Sequence, residues 1–444
     1  MKRLVIVANR VPDPKARGAT AGGLAVALQD AVSRRDAMWF GWSGDTAAET
    51  ATEPVLARQG RLTYATLDLG EDDYRRYYQG FSNGSLWPTL HFRLGLAHFS
   101  REDYAGYRHV NAAFAGALAP LLRPDDAVWV HDFHLFPTGA ELRRRGCRQR
   151  LGFFLHVPFP PHAVFSGLPR SHELLADLAA YDVIGTQTED DAANLRAALE
   201  AEGHAEAAGR VSAFPIGIDA EAFTALAERA AEKQEMARFR RSLAGRALII
   251  GVDRLDYSKG LPQRFTGYGQ LLARYPGHRS RVTYLQVAPV SRGDVAQYQA
   301  LRRELDELVG RINGDYAEPD WVALRYMTRP VPRPTLAGFM RHARAGLITP
   351  LRDGMNLVAK EYVAAQDPED PGALVLSRFA GAAPYLKGAL LVNPLDPDEI
   401  AEALDQAMAM PLDERLARWT PMADEVRERT ARSWCRAFLS ALEG

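Results

Sequence analysis

A chain of 444 residues has room for about three domains of ~150 residues each, or for two large α/β domains. Hydrophobic residues make up 47% and charged residues 25%, the profile of a soluble globular chain that buries its cores without disulfide or metal staples. Lys plus Arg number 54 against 55 Asp plus Glu, a net charge of −1, which argues against a general polyanion or nucleic-acid binder, since such proteins carry a basic surplus.

The first residues, MKRLVIVANRVP, place five apolar residues after a basic start. A signal-peptide core needs about 7 to 15, so LVIVA (4–8) reads as a first β-strand. No run approaches the ~20 apolar residues of a membrane helix, so no membrane partner is expected. Cys147 and Cys435 are too few for a disulfide framework and too far apart for a structural zinc pair, and read as reduced thiols of a cytoplasmic chain. Next comes GATAGGLAVALQ (18–29), a Gly-rich loop opening a helix. It is not GxGxxG directly after the first strand, and neither a GxxxxGK[ST] loop nor a GxSxG elbow occurs, so a dinucleotide dehydrogenase is poorly supported. YRRYYQGFSNGSLWPTLHF (74–92) is dense in aromatic residues. It reads either as a packed hairpin or cover segment, or as a sugar-stacking wall using Trp87 with Tyr78 as a hydroxyl donor.

Further apolar runs follow at AVWV (127–130), GFFLHV (152–157) and DVIGTQ (182–187), and then at ALIIGV (247–252), VTYLQVA (282–288), AGLIT (345–349), ALVLS (373–377) and ALLVN (389–393). Amphipathic segments such as LPQRFTGYGQLLARY (261–275) separate them, which predicts βαβ units and parallel sheets. The charged helical stretch 220–246 marks a junction, giving domains at 1–235 and 236–425, with a last helix over 426–444 packing back on the first domain. In the helical tail from 412, Pro421 is expected to end or kink a helix.

In open α/β sheets ligands bind beyond the carboxyl ends of strands. Polar groups collect there in strand after strand: Arg10; His131, Asp132 and His134; His156; Arg254 and Lys259; Arg292; and TPLRDGMNLVAKEY (349–362). The four cations at these ends suit phosphate oxygens, although any one of them alone reads as a solvated loop charge. In the last stretch Gly354 lets a ligand approach the backbone. Met355, Asn356 and Leu357 offer amides at a helix N-terminus, where anions bind. Asp353 is placed for sugar hydroxyls. Glu361 either accepts from a ribose diol or is an exposed helix charge beside a solvated Lys360. His156 is either a core histidine or a catalytic one. His131 and His134 form an HxxH pair, but no third ligand stands at metal spacing, so no metal is expected.

Together these residues resemble the trehalose-6-phosphate synthase family of retaining GT-B glycosyltransferases. The resemblance is carried from about residue 3 to 440 by AGGLAVAL, WFGWSG, YYQGFSNGSLWP, VWVHDFHL, GFFLHVPFP, FPIGID, DRLDYSKGLPQRF, VAPVSRGDV, GRINGDY, TPLRDGMNLVAKEYVAAQ and LSRFAGAA, in order. It implies an α/β fold of two Rossmann-like doubly wound domains facing across a cleft. It also implies transfer of glucose from a nucleotide sugar, usually UDP-glucose, to glucose-6-phosphate. On this resemblance Arg10, Tyr78, Trp87 and Arg292 bind glucose-6-phosphate. Arg254 and Lys259 bind the donor diphosphate, Asp353 the donor glucose, backbone at 354–357 the phosphates and Glu361 the ribose. Gly22, Gly23, Asp132 and His156 line the reaction centre. The family chemistry is metal-independent and needs no cofactor, with front-face attack and the departing phosphate oxygen taking the acceptor's proton. Phe133 stands where many members have Tyr, and the proline-rich MTRPVPRP (327–334) leaves the base open among UDP, GDP and ADP. Two rival readings are a pseudo-glycosyltransferase of the validoxylamine type and a non-catalytic sugar-phosphate sensor. A homo-oligomer is compatible with the sequence, and the chain's end at Gly444 is expected to leave product dephosphorylation to another protein.

Overall fold

The computed structural model describes residues 2–12, 35–290 and 296–444. Gly22, Gly23 and Arg292 lie outside the described residues. The chain divides into two compact units, Met1–Ile216 with Ala431–Gly444, and Gly217–Thr430.

The first unit is built on an eight-stranded sheet of β1 (Leu4–Arg10), β2 (Ala37–Ala47), β3 (Val55–Gln59), β4 (Leu62–Gly70), β5 (Ala127–His131), β6 (Arg150–Phe154), β7 (Val183–Thr186) and β8 (Val211–Ala213). Its order is β3-β4-β2-β1-β5-β6-β7-β8, parallel except for the β3–β4 hairpin. The predicted strands at 4–8, 127–130, 152–157 and 182–187 are all present. β2, β3, β4 and β8 were not anticipated: every residue of β3 is exposed, so that edge carries no apolar signal, and β8 has three residues. The segment 74–92 is not a hairpin. It is helical from Tyr74 through Leu90, with a π-helical stretch to Leu86 whose residues Tyr77, Phe81 and Leu86 are buried. Its aromatic residues are spaced for a helix face rather than for strand alternation.

The returning helix Ala431–Glu443 completes this unit. Trp129 stacks on Phe438 at 4.5 Å and Trp434 lies 5.0 Å away. A Cβ built on Gly152 or on Gly185 would come within 2.8 Å of the Phe438 ring, so glycines on two neighbouring strands hollow out its seat. Gly185→Ala is therefore expected to cost about 1–3 kcal/mol through overpacking, read as a lower urea midpoint, with Phe438→Leu in the same chain recovering part of it.

The second unit carries β9 (Ala247–Val252), β10 (Val282–Val287), β11 (Leu324–Met327), β12 (Ala345–Ile348), β13 (Ala373–Ser377) and β14 (Leu390–Val392). The order β11-β10-β9-β12-β13-β14 is wholly parallel. This is the doubly wound pattern that reverses direction once, between β9 and β12. The divide from the first unit falls after Ile216 rather than at 235, because helices Ala220–Ala231 and Gln234–Leu243 pack on this unit. Phe239 meets Phe339 at 4.4 Å, and Thr224 donates to the Ala364 carbonyl at 2.7 Å. The second divide follows Thr430 rather than 425, because helix Leu412–Glu428 belongs here to its end. That helix runs on through Pro421. The proline does not end it, since Trp419 and Met422 on either side are buried and hold the turn in place. The Thr420 hydroxyl also donates to the Leu416 carbonyl one turn back.

Candidate active site

In the second unit the reversal point lies between β9 and β12, and two polar loops leave the sheet there. After β9 the chain runs through Asp253 and Arg254 into a short turn at Tyr257–Lys259, which Asp256 caps by accepting from the Ser258 amide at 3.0 Å. Gly260 then takes φ +65°, and a Cβ there would strike the Thr349 carbonyl at 2.4 Å. Only glycine allows the β9 loop to lie this close to the end of β12. After β12, Asn356 adopts φ 74° and caps the helix Leu357–Ala365, its side chain accepting from the Ala359 amide at 3.0 Å. Helix N-termini leave their first amides without intrahelical acceptors, so the amides around Leu357 face an anion-binding position.

Asp353 joins the two loops. Lys259 Nζ donates to Asp353 Oδ2 at 2.5 Å, and Asn356 Nδ2 donates to the same oxygen at 2.9 Å. Lys259 and Asn356, on loops far apart in sequence, thus meet at one oxygen of Asp353, 94 residues from Lys259. Arg254 is exposed and makes no hydrogen bond or ion pair with any described residue. Met355 is buried and Gly354 is covered by the FAGA loop: a Cβ on Gly381 would sit 1.8 Å from the Gly354 carbonyl. Glu361 is not an exposed helix charge. Arg333 donates to its Oε1 at 2.9 Å, and burial raises its pKa while Arg333 partly offsets the rise. Lys360 is not solvated either. It is fully buried with its ammonium 5.7 Å from the Tyr385 ring, and burial pulls its pKa down to about 8.

Sequence reasoning missed Arg264. Its guanidinium is fully buried and donates to Asp253 at 2.8 Å, Gln286 Oε1 at 3.0 Å, Thr349 Oγ1 at 3.1 Å and the Lys259 carbonyl at 3.2 Å. One cation therefore pins the β9 loop, β10 and the β12 loop together. Burial opposes its charge, but Asp253 and Tyr284 together outweigh that and hold its pKa above the usual value. The available signal was an arginine at an inward position of the amphipathic helix Leu261–Arg274.

In the first unit the order reverses between β1 and β5, and the predicted residues gather at that point. Arg10 ends β1 with its guanidinium 5.7 Å from the Trp42 ring, in space that only Gly44 leaves open: a Cβ there would meet Arg10 at 2.5 Å. Asp132 follows β5 at φ 77° and ψ 166°, a conformation that costs a non-glycine residue about 1–3 kcal/mol. Asp132 Oδ1 accepts from the His156 amide at 3.2 Å, which ties the ends of β5 and β6 together. Tyr78 stacks on His134 at 5.8 Å and on Tyr74 at 5.3 Å. Trp87 is 5% exposed, its ring packed on His91 and Phe133, which are the surroundings of a core residue.

The two histidines of HxxH part company. His134 turns to Tyr78, whereas His131 Nδ1 meets His156 Nε2 at 3.1 Å. Among the described residues no group of three His, Cys, Asp or Glu could hold a metal ion. The His131–His156 pair was not anticipated, because it needs β5 and β6 to be neighbours in the sheet. Phe154 and Trp434 wall His156, whose pKa falls to about 3 through burial. His131 is lowered as well, by burial and then by His156. Unfolded histidine titrates near 6.5. Below that pH the unfolded chain binds more protons, so the pair's stability contribution is whole above ~6.5 and is lost as pH falls toward ~3. Melting curves from pH 7 to 4 are expected to show a declining Tm with a shallower slope in His131→Asn, and equal slopes in the two proteins would refute the coupling.

The chain belongs to glycosyltransferase family 20, whose model matches residues 3–444, and its two doubly wound units have the α/β architecture of the GT-B class. It is similar to the trehalose-6-phosphate synthase of Sinorhizobium fredii, with 49% identity over 456 residues covering 100% of this chain and 98% of that protein. A crystal structure of the UDP-forming alpha,alpha-trehalose-phosphate synthase from Burkholderia vietnamiensis superposes with a TM-score of 0.97 at 45% identity, covering 100% of this chain and 97% of that one. That of the UDP-forming enzyme from Burkholderia xenovorans in complex with glucose-6-phosphate gives 0.94 at 44%, covering 100% of both chains.

Proposed function

We propose that this chain transfers glucose from UDP-glucose to glucose-6-phosphate with retention, giving α,α-trehalose-6-phosphate. The observation that carries this reading is the meeting of Lys259, Asp353 and Asn356 at the N-terminus of helix Leu357–Ala365, in a chain related over its full length to UDP-forming synthases.

Departure of the nucleoside diphosphate builds negative charge on the leaving oxygen. Arg254, Lys259 and the amides of residues 354–357 supply a fixed positive field for it as it forms. Lysine has three donors; one is held by Asp353, leaving two for phosphate oxygens. Asp353, oriented by Asn356, keeps its remaining lone pairs for donor-glucose hydroxyls. Arg333 takes Glu361 Oε1, so Oε2 can accept from the ribose diol. These cations replace a divalent metal. We assign Arg10, Tyr78, Trp87 and Arg292 to the acceptor sugar phosphate, as the family resemblance implies. Asp132 accepts from the acceptor sugar, and Gly22 and Gly23 are assigned to the donor on the family resemblance alone. Neutral His156, fixed by His131, positions the attacking hydroxyl without serving as a base, and the departing phosphate oxygen receives the proton. Phosphorylated sugars do not cross membranes unaided, and among the described residues no helix is long and apolar enough to span one, so we place the reaction in the cytoplasm.

The test is direct detection of trehalose-6-phosphate from glucose-6-phosphate with UDP-, GDP- and ADP-glucose, each with and without EDTA. UDP-glucose is expected to be preferred and EDTA to have no effect. Tight glucose-6-phosphate binding without turnover would favour a sensor, and turnover only with a cyclitol donor and an aminocyclitol phosphate would favour the validoxylamine type.

A further inference from the structure

The second unit has another concentration of cations, at the opposite end of its sheet from Arg254 and Lys259. A cavity of about 960 Å³ opens there, lined by Arg246, Arg274, Arg281, Arg341, Arg344 and Arg415 against three carboxylates, Asp367, Asp370 and Asp405. Three of the arginines have a common origin. Arg281 immediately precedes β10, Arg246 precedes β9 and Arg344 precedes β12, and these are adjacent parallel strands. The ladder is continuous at this edge, with Ala247 donating to the Arg281 carbonyl at 2.9 Å and Arg344 to the Leu248 carbonyl at 2.8 Å. Neighbouring strands lie about 4.8 Å apart, so the three arginines enter the cavity from a row roughly 10 Å long.

A solvated basic face would keep all its side chains extended in water, but three of these are largely covered, while Arg281 is exposed and the Arg344 side chain is 27% exposed. The Arg246, Arg341 and Arg415 side chains are 10%, 14% and 6% exposed. Arg246 pairs with Asp320, and Arg274 with Asp398 and Glu402, so the charge left without a close carboxylate lies at Arg281 and Arg344. Arg344 reaches Asp370 only at 3.9 Å, while Arg415 holds that same carboxylate at 2.5 Å. The Arg281 side chain makes no hydrogen bond or ion pair with any described residue. Two polar atoms of lining residues, Arg415 Nε and His342 Nε2, are buried without partners. Burial and the neighbouring Arg415 push the pKa of Arg344 down, which is the mark of cations crowded together. Like charges held this way are costly unless an anion joins them.

We propose that this cavity is a second anion site, for a metabolite bearing two or more phosphoryl groups spread along the Arg281–Arg246–Arg344 row. Arginine forks pair with phosphate oxygens two at a time, and a row of three suits a ligand charged at more than one point. The site is separate from the candidate donor site: β9 carries Arg246 before its first residue and Asp253 after its last, about 20 Å away along the strand.

The experiment is calorimetric titration of the full chain with inorganic triphosphate and with a hexose 1,6-bisphosphate, at saturating UDP and glucose-6-phosphate so that the candidate active site is occupied. At least one probe is expected to bind, and Arg246→Glu/Arg281→Glu to weaken it by roughly tenfold or more. The milder Arg246→Gln/Arg281→Gln chain is expected to weaken it less, with an unchanged melting curve confirming an intact fold. Absence of binding by both probes, or equal affinity in the substituted chains, would overturn the proposal.

Discussion

Arg254→Ala is expected to lower kcat by roughly a hundred- to a thousandfold while leaving the melting temperature unchanged. The guanidinium stands exposed after β9, and no described residue holds it, so its removal leaves no buried partner behind. Surface changes of that kind move stability by about 0.5 kcal/mol or less. Its contribution lies in the transition state, where charge passes to the departing diphosphate, and the loss of one preorganised donor at such a point has the stated magnitude. Lysine at 254 should recover part of the rate, because a point charge remains but the planar fork does not. Steady-state kinetics with UDP-glucose as varied substrate separates the cases. A rise in KM alone would mean that Arg254 binds the ground state and that the leaving group is stabilised elsewhere.

Arg264→Leu should destabilise the second unit by about 3–5 kcal/mol, the usual consequence of removing one partner from a buried ion pair. Asp253, Gln286, Thr349 and the Lys259 carbonyl would lose a donor together. The strand glycine in ALIIGVD belongs to this network, since a Cβ on Gly251 would lie 2.3 Å from Gln286 Oε1 and 3.1 Å from Arg264 Nη1. Arg264→Leu/Asp253→Leu is expected to recover much of the loss, because an apolar pair leaves no isolated charge. Urea unfolding of the single and double variants measures the coupling. Simple additivity would show that the carboxylate does not depend on Arg264. Activity offers a second reading, since Arg264 fixes the loop that carries Lys259.

The strand-end residues were legible because open parallel sheets put ligands at one end, and short β-branched runs mark where strands stop. Arg254, Lys259, Asp353 and Asn356 all follow from that rule, and Lys259 and Asn356 converge on Asp353 Oδ2. The rule is weaker for residues inside helices. Arg264 and Lys360 look like solvated charges in the sequence, but both are fully buried. Helical spacing tells which residues share a face, not which element covers that face.

By itself, then, the sequence determined the alternation of strands and helices, the two α/β halves and the chemical groups at the strand ends. These follow from local periodicity and from residue chemistry, which neighbours in the chain already contain. Tertiary structure decided what depends on strand order: the His131–His156 pair across β5 and β6, and the arginine row across β10, β9 and β12. Each joins residues with nothing between them in sequence to signal the pairing. Hydrogen-bonded sheet order alone brings them within reach of one another, and burial then fixes which of their charges persist.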